Sequence, residues 1–260
     1  MSFKEVYINS IQEYIDRVFS YDGNIIYRGV SNKEYNLIPG IGRKSRGGWD
    51  RKNTIIFESE MLSEFSEKVA SIENYNSYTE LVILAQHYGL PTRLLDWTEN
   101  PLVALYFSIK GNIDKDSAVY VANIESIPMA FENFDYSHIV YQAGSQMSEE
   151  LSQRDEFLEL TCAEMACKHY EAIQKSLKNR NFIVMRPKAK TQRVIAQDSI
   201  FIIHADPFVP FDEYVVEKII IKKELKKPFT YYLNKLGFHA FSMFPGCDGL
   251  CSYLRDKYLF

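Results

Sequence analysis

Two punctuation marks close together constrain this chain more than any other feature of it. Gly89-Leu90-Pro91 ends one helix, because glycine takes the left-handed turn and proline cannot continue the helical ladder. Asn100-Pro101 opens another, with asparagine as the N-cap and proline at the first helical position. Leu81, Leu84, Ala85 and Tyr88 give the helix before the first mark, and Leu102, Leu105, Tyr106 and Ile109 the buried face of the helix after the second. Between them Thr92 to Thr98 has room only for an extended segment. The unit is helix, strand, helix, and its turns carry an unusual density of polar side chains.

The rest of the pattern places further elements. Ile8, Ile11, Ile15 and Val18 step at helical intervals and predict an N-terminal amphipathic helix closed by Asp22-Gly23. Asn24 to Val30 reads as a short buried strand, and Leu62, Phe65, Val69 and Ile72 as a second helix. Strands are predicted at Ala118 to Ile124, Phe182 to Met185, Val194 to His204 and Val215 to Ile221. A long helix over Glu149 to Leu177 interrupts them, and two helices near Pro228 to Leu236 and Asp248 to Tyr258 end the chain. Helices crowd the first half and strands the second, which predicts an α+β fold. With no repeat and no Gly/Pro/Ser linker, one domain over 1–260 is expected: helix-rich 1–112, strand-rich 113–225 and a C-terminal helical cap 226–260.

Charge and composition exclude several classes. Thirty basic against thirty-four acidic residues leave a net charge of −4, and 46% of the residues are hydrophobic, as in an ordinary globular protein. A general polyanion binder is disfavoured, although Lys222, Lys223, Lys226 and Lys227, and the basic loop Arg43, Lys44, Arg46 with Gly47-Gly48-Trp49, keep a nucleic-acid reading open. No apolar run reaches the ~20 residues of a membrane helix and Met1 to Ser20 lacks a signal-peptide pattern, so a cytoplasmic protein without membrane contact is expected. Cys162 and Cys167 lie about 140° apart around a helix and, like Cys247 and Cys251, lack the spacing of a zinc site; buried thiols and no metal are expected. His169 falls on an apolar stripe with Leu158, Cys162, Met165 and Ile173 and reads as a core residue.

Two segments carry candidate chemistry. Tyr27-Arg28-Gly29 sets an arginine at the end of a buried strand, where a guanidinium needs an anionic partner: a ligand, or Asp96 or Glu99 in a structural ion pair. Gln86 to Pro101 gathers His87, Tyr88, Thr92, Arg93, Asp96, Thr98 and Glu99, either as a buried hydrogen-bond network, with Arg93 and Asp96 paired, or as a ligand site.

These residues resemble the FRG domain family. The resemblance is carried by Tyr27-Arg28-Gly29, with tyrosine in the first place of the family's Phe-Arg-Gly motif, Leu37-Ile38-Pro39 followed by Arg43, and the block Gln86 to Phe107. Arg193 with Gln197 and Phe201, and Met243-Phe244-Pro245 before Asp248-Gly249-Leu250, extend it along nearly the whole chain. Such proteins are mainly bacterial or phage proteins, which implies a role in phage defence or a toxin-like one. A more distant resemblance is to ADP-ribosyltransferases, which open their site with a strand arginine and continue with a Ser/Thr strand leading into a helix, as in Asp96-Trp97-Thr98-Glu99 and Ala104-Leu105-Tyr106-Phe107. It implies a split antiparallel or mixed β-sheet core and NAD as substrate, with no metal.

On that resemblance the catalytic set is Arg28, His87, Thr98, Gln197 and Glu99. Arg28 would hold the pyrophosphate, Thr98 orient the site, and His87 bond a ribose hydroxyl. Binding of the dinucleotide would fall to Tyr27, Arg28, Gly29, Tyr88, Thr92, Arg93, Asp96 and Tyr106, with Tyr88 or Tyr106 stacking on a ring. Gln197 stands where the transferases carry a glutamate, and an amide cannot act as a carboxylate base; Asp198 would lie on the opposite face of the strand, and Glu99 is the remaining acid. The chain also departs from the family near Ser199, usually beside a glycine, and near Gly246, usually beside an acid. Three functions are therefore weighed: an ADP-ribosyltransferase or NAD glycohydrolase with an unknown acceptor, a non-catalytic nucleotide or ADP-ribose sensor or adaptor, and a nucleic-acid-directed protein.

Overall fold

The computed structural model describes residues 3–43, 51–75, 77–127, 181–187 and 191–259. The expected helix Glu149 to Leu177, with Cys162, Cys167 and His169, lies outside the described residues, as do Lys44, Arg46 and Trp49.

Among the described residues seven strands form one open mixed sheet in the order β1-β7-β4-β2-β3-β6-β5. They are β1 (Lys4–Ile8), β2 (Ile25–Val30), β3 (Leu94–Thr98), β4 (Ser117–Asn123), β5 (Phe182–Met185), β6 (Ser199–His204) and β7 (Val215–Ile221). Only the β1 to β7 pairing is parallel; the others are antiparallel. The described helices are α1 (Ile11–Val18), α2 (Arg51–Val69), α3 (Tyr78–His87), α4 (Pro101–Ile109), α5 (Gln192–Ala196), α6 (Lys226–Lys235), α7 (Ala240–Met243) and α8 (Cys247–Leu259). The fold class is α+β.

The helix, strand, helix unit forms as its punctuation requires. Helix α3 begins at Ser77, whose hydroxyl accepts from the Glu80 N–H, and ends before Gly89 at φ +96°. Helix α4 begins at Asn100, whose side-chain oxygen accepts from the N–H groups of Leu102 and Val103. Two expectations are corrected. Ile8 belongs to β1 and not to α1, which starts after the Ser10 cap; β1 exists through pairing with distant β7. The expected strand Val194 to His204 is two elements, α5 capped by Thr191 and β6 beginning at Ser199, joined by Asp198 at φ +43°. Aspartate tolerates that left-handed position better than most residues. Strands are also spread along the chain, with β1, β2 and β3 all before residue 112.

Paired Tyr27 and Thr98 point to the same side of the sheet, and the helices cover that side in two groups. Helices α2 and α3 pack with Leu94, Ile183, Met185, Phe201 and Ile203; α1, α4 and α6 pack with Tyr27, Val119, Val121 and Ile219. The other side holds Ile26, Leu95, Trp97, Tyr120, Ile202 and Phe211. Gly29 is required by the second group: a Cβ there would lie 1.9 Å from the Ala104 carbonyl oxygen, so α4 can lie on β2 only if residue 29 has none.

Candidate functional site

The sheet parts in its middle. Strand β2 pairs with β4 over six residues and β3 with β6 over five, but β2 and β3 share only Tyr27↔Thr98. A cleft of about 930 Å³ opens where they diverge, at the upper end of the ~300–1,000 Å³ usual for small-molecule and cofactor sites. Its walls come from β2, the 31–43 loop, β3, the start of α4, and α5 with the first residue of β6.

Arg28 lies across the parting. Its Nη1 donates to the Asp96 carbonyl oxygen and sits 3.9 Å from Asp96 Oδ2. The Arg28 side chain is 14% exposed and that of Asp96 60%, so a nearly buried cation faces a carboxylate that is mostly in water. Burial lowers the guanidinium to about 10; Asp96 pulls the other way and Arg43 adds to the lowering. The group remains charged at neutral pH but is under-compensated, and an anion in the cleft would supply what it lacks.

Arg193 and Arg43 also line the cleft. Arg193 donates to the His87 carbonyl oxygen at 3.1 Å and lies 4.9 Å from the Phe244 ring centroid; burial lowers it, with Asp96 opposing. Flat apolar surface comes from Tyr35, Trp97, Phe107 and Phe208, and the carboxylates among the lining residues are Glu34 and Asp96. A smaller annex of about 70 Å³ adjoins the cleft, sharing Asp96, Arg193, Gln197 and Ser199 with it and adding Gln86 and His87.

The expected catalytic residues divide between these spaces. Arg28, Thr98 and Gln197 line the cleft, while His87 lines the annex, where burial and then Arg193 lower its imidazole. The Thr98 hydroxyl is committed to structure, donating to the Gln197 carbonyl oxygen at 2.7 Å and accepting from the Asn100 N–H at 3.0 Å. Gln197 is not on a strand; it caps α5, and its amide donates to the Met243 carbonyl oxygen at 2.9 Å. Asp198 turns away to accept from the Asn100 amide at 3.3 Å. Glu99 is outside the cleft, paired with Arg186.

Of the expected binding residues, Tyr27, Arg28, Gly29 and Asp96 line the cleft, although the Tyr27 ring packs in the core beside α4. Tyr88 is exposed and bonds Glu73 at 2.9 Å, and Tyr106 is buried in the core with its neighbour Phe107 facing the cleft instead. Thr92 is buried and donates to Gln86. Arg93 pairs with Glu58, not Asp96: both side chains are 1% exposed, and Arg93 Nε lies 2.8 Å from Glu58 Oε2. Cys247 and Cys251, expected to be buried, are exposed on α8. Lys226 leaves the basic cluster, being buried with its Nζ donating to the carbonyl oxygens of Ser31, Gly111 and Asn112.

Fold and site together define an α+β protein whose mixed sheet opens on an arginine-lined cleft. Residues 23–117 match the family model of the FRG domain, a span that contains β2, β3, α3, α4 and the cleft residues Arg28 and Arg43. No curated protein and no solved structure matches the chain. No described helix is long and apolar enough to cross a membrane, and among the described residues no three His, Cys, Asp or Glu side chains group to hold a metal.

Proposed function

We propose that the cleft binds NAD and that the protein is an ADP-ribosyltransferase-like enzyme, cleaving the nicotinamide-ribose bond and passing ADP-ribose to an acceptor. The observation that carries this reading is Arg28 in the parting of β2 and β3, desolvated and facing a carboxylate that compensates it incompletely. A pyrophosphate is a fitting partner, since a guanidinium binds phosphate oxygens through two parallel N–H donors. Arg193 and Arg43 supply further positive charge, and Phe107, Tyr35 and Phe208 offer surfaces for the two rings of a dinucleotide. Loss of nicotinamide builds positive charge on the ribose, as in glycoside hydrolysis, and a carboxylate at the cleft would stabilise it. A split-sheet core similar to the ADP-ribosyltransferase fold belongs to the same proposal, as does a place in bacterial phage defence or a toxin-like role, which rests on the resemblance alone.

A second reading, a nucleotide or ADP-ribose sensor without chemistry, is favoured by one observation. Gln197, at the position expected of the transferase glutamate, is an amide fixed on the Met243 carbonyl. Nicotinamide release from NAD by the purified chain, with and without a cell extract as acceptor source, separates the two. Release supports the enzyme, and binding with no release supports the sensor.

A further inference from the structure

We propose that Asp96 is the catalytic carboxylate of this cleft, taking the proton of the acceptor as it attacks the ribose, and that Gln86 and Thr92 position it. This rests on the reading of the cleft as an NAD site. Gln197 is an amide and offers no base, and among the described lining residues Asp96 and Glu34 are the acids. Asp96 alone of the two stands at the junction of cleft and annex.

The carboxylate is held as a working group would be. Thr92, buried in the helix-strand turn, donates its hydroxyl proton to Gln86 Oε1. With its oxygen occupied, the Gln86 amide presents Nε2 to Asp96 Oδ1 at 2.7 Å. One oxygen of Asp96 is thus fixed, while Oδ2 stays open, 3.9 Å from Arg28 Nη1. Structural carboxylates of this fold look different: Glu217, for one, is 4% exposed and accepts from Arg17 and Tyr21. A side chain 60% exposed yet oriented by a two-step relay has its free oxygen placed for something outside the protein.

The step balances. The C1′–N bond of NAD breaks and nicotinamide leaves as a neutral ring with the bonding electron pair. The electron-poor C1′ accepts a lone pair from a nucleophile in the annex, a water or an acceptor hydroxyl, for which a space of about 70 Å³ is ample, since one water needs only about 10–15 Å³ of such volume. The nucleophile's proton passes to Asp96 Oδ2 and then to solvent. Arg28 meanwhile neutralises the phosphates.

The test measures NAD affinity by calorimetry and nicotinamide release by chromatography on the full chain, with water as acceptor. Asp96→Asn should keep the Kd for NAD within about threefold and lower the rate of release by about 100-fold or more. Formate, as a small replacement carboxylate, should restore part of the rate to Asp96→Ala, a rescue that a structural role cannot give. Gln86→Leu and Thr92→Val should lower kcat by roughly tenfold with KM for NAD little changed. Full-rate release by Asp96→Asn, absence of formate rescue, or a wild-type chain that binds NAD and never releases nicotinamide would each overturn the proposal while leaving NAD binding intact. A wild-type chain that does not bind NAD removes the parent reading and this proposal with it.

Discussion

Arg28 and Asp96 stand on opposite lips of the opening between β2 and β3, the guanidinium donating to the Asp96 carbonyl oxygen with the carboxylate Oδ2 3.9 Å away. The contact does two things at once. It replaces ladder hydrogen bonds that β2 and β3 do not form beyond Tyr27↔Thr98, and it brings a poorly solvated cation to the wall of the cleft. A structural ion pair and a ligand site, weighed as alternatives from the sequence, are here compatible uses of one residue.

The close seat of α4 on β2 should make Gly29 intolerant of any side chain. A Cβ at 1.9 Å from the Ala104 carbonyl and 2.6 Å from the Ser108 nitrogen meets backbone, which cannot step aside as a flexible side chain can. Gly29→Ala is expected to cost about 3 kcal/mol, near the upper end for overpacking, read as a lower urea midpoint with an unchanged slope.

The buried pair of Arg93 and Glu58 should behave as scaffold. Removing one partner leaves an uncompensated buried charge, so Glu58→Gln is expected to destabilise by about 3–5 kcal/mol in chemical denaturation. Because neither residue lines the cleft, ligand affinity of the folded fraction should not change. A selective loss of affinity with full stability would contradict this assignment.

Acid stability should depend on His204. Burial lowers its imidazole to about 3, with the bond to the Val209 carbonyl opposing and Arg28 and Arg93 adding to the lowering. The unfolded chain has an ordinary histidine near 6.5, so between about pH 6.5 and 3 the unfolded state binds the extra proton. Stability from this group is complete above about pH 6.5 and is lost as the pH falls, with a slope of at most about 1.4 kcal/mol per pH unit. His204→Phe should flatten the wild-type decline over this range in melting temperature measured against pH, at a cost of about 1 kcal/mol at pH 7 for the unpaired Val209 carbonyl.

Local rules made much of this molecule legible. The Asn100-Pro101 cap, the Gly89 stop and the strands Phe182–Met185 and Val215–Ile221 stand where the sequence placed them, because each is fixed by caps or by a continuous apolar run. What local pattern could not supply was pairing partners. Strand β1 has one well-buried residue, Ile8, and exists by lying alongside β7. The split of α5 from β6 depends on Asp198 taking a conformation that its residue type only permits.

Where the motif sat on a strand its residues line the cleft, as Arg28 and Thr98 do, and Gln197 reaches it from the end of a helix the sequence reads as strand. Tyr106 points into the core because one residue along a helix turns the side chain by about 100°, giving the cleft Phe107 instead. Glu34, Tyr35 and Arg193 reach the cleft from a loop and a short helix, and no spacing rule announces that. The family-like pairing of Arg193 with Gln197 was the one available signal for the second arginine.

The most direct test of the cleft as an NAD site is calorimetric titration of NAD into the full chain and into Arg28→Ala. The wild type is expected to bind with a Kd of about 1 mM or tighter, and Arg28→Ala to stay folded and bind at least tenfold more weakly, about 1.4 kcal/mol. Equal affinity in the two proteins, or no heat and no thermal stabilisation in the wild type at high NAD, would contradict it.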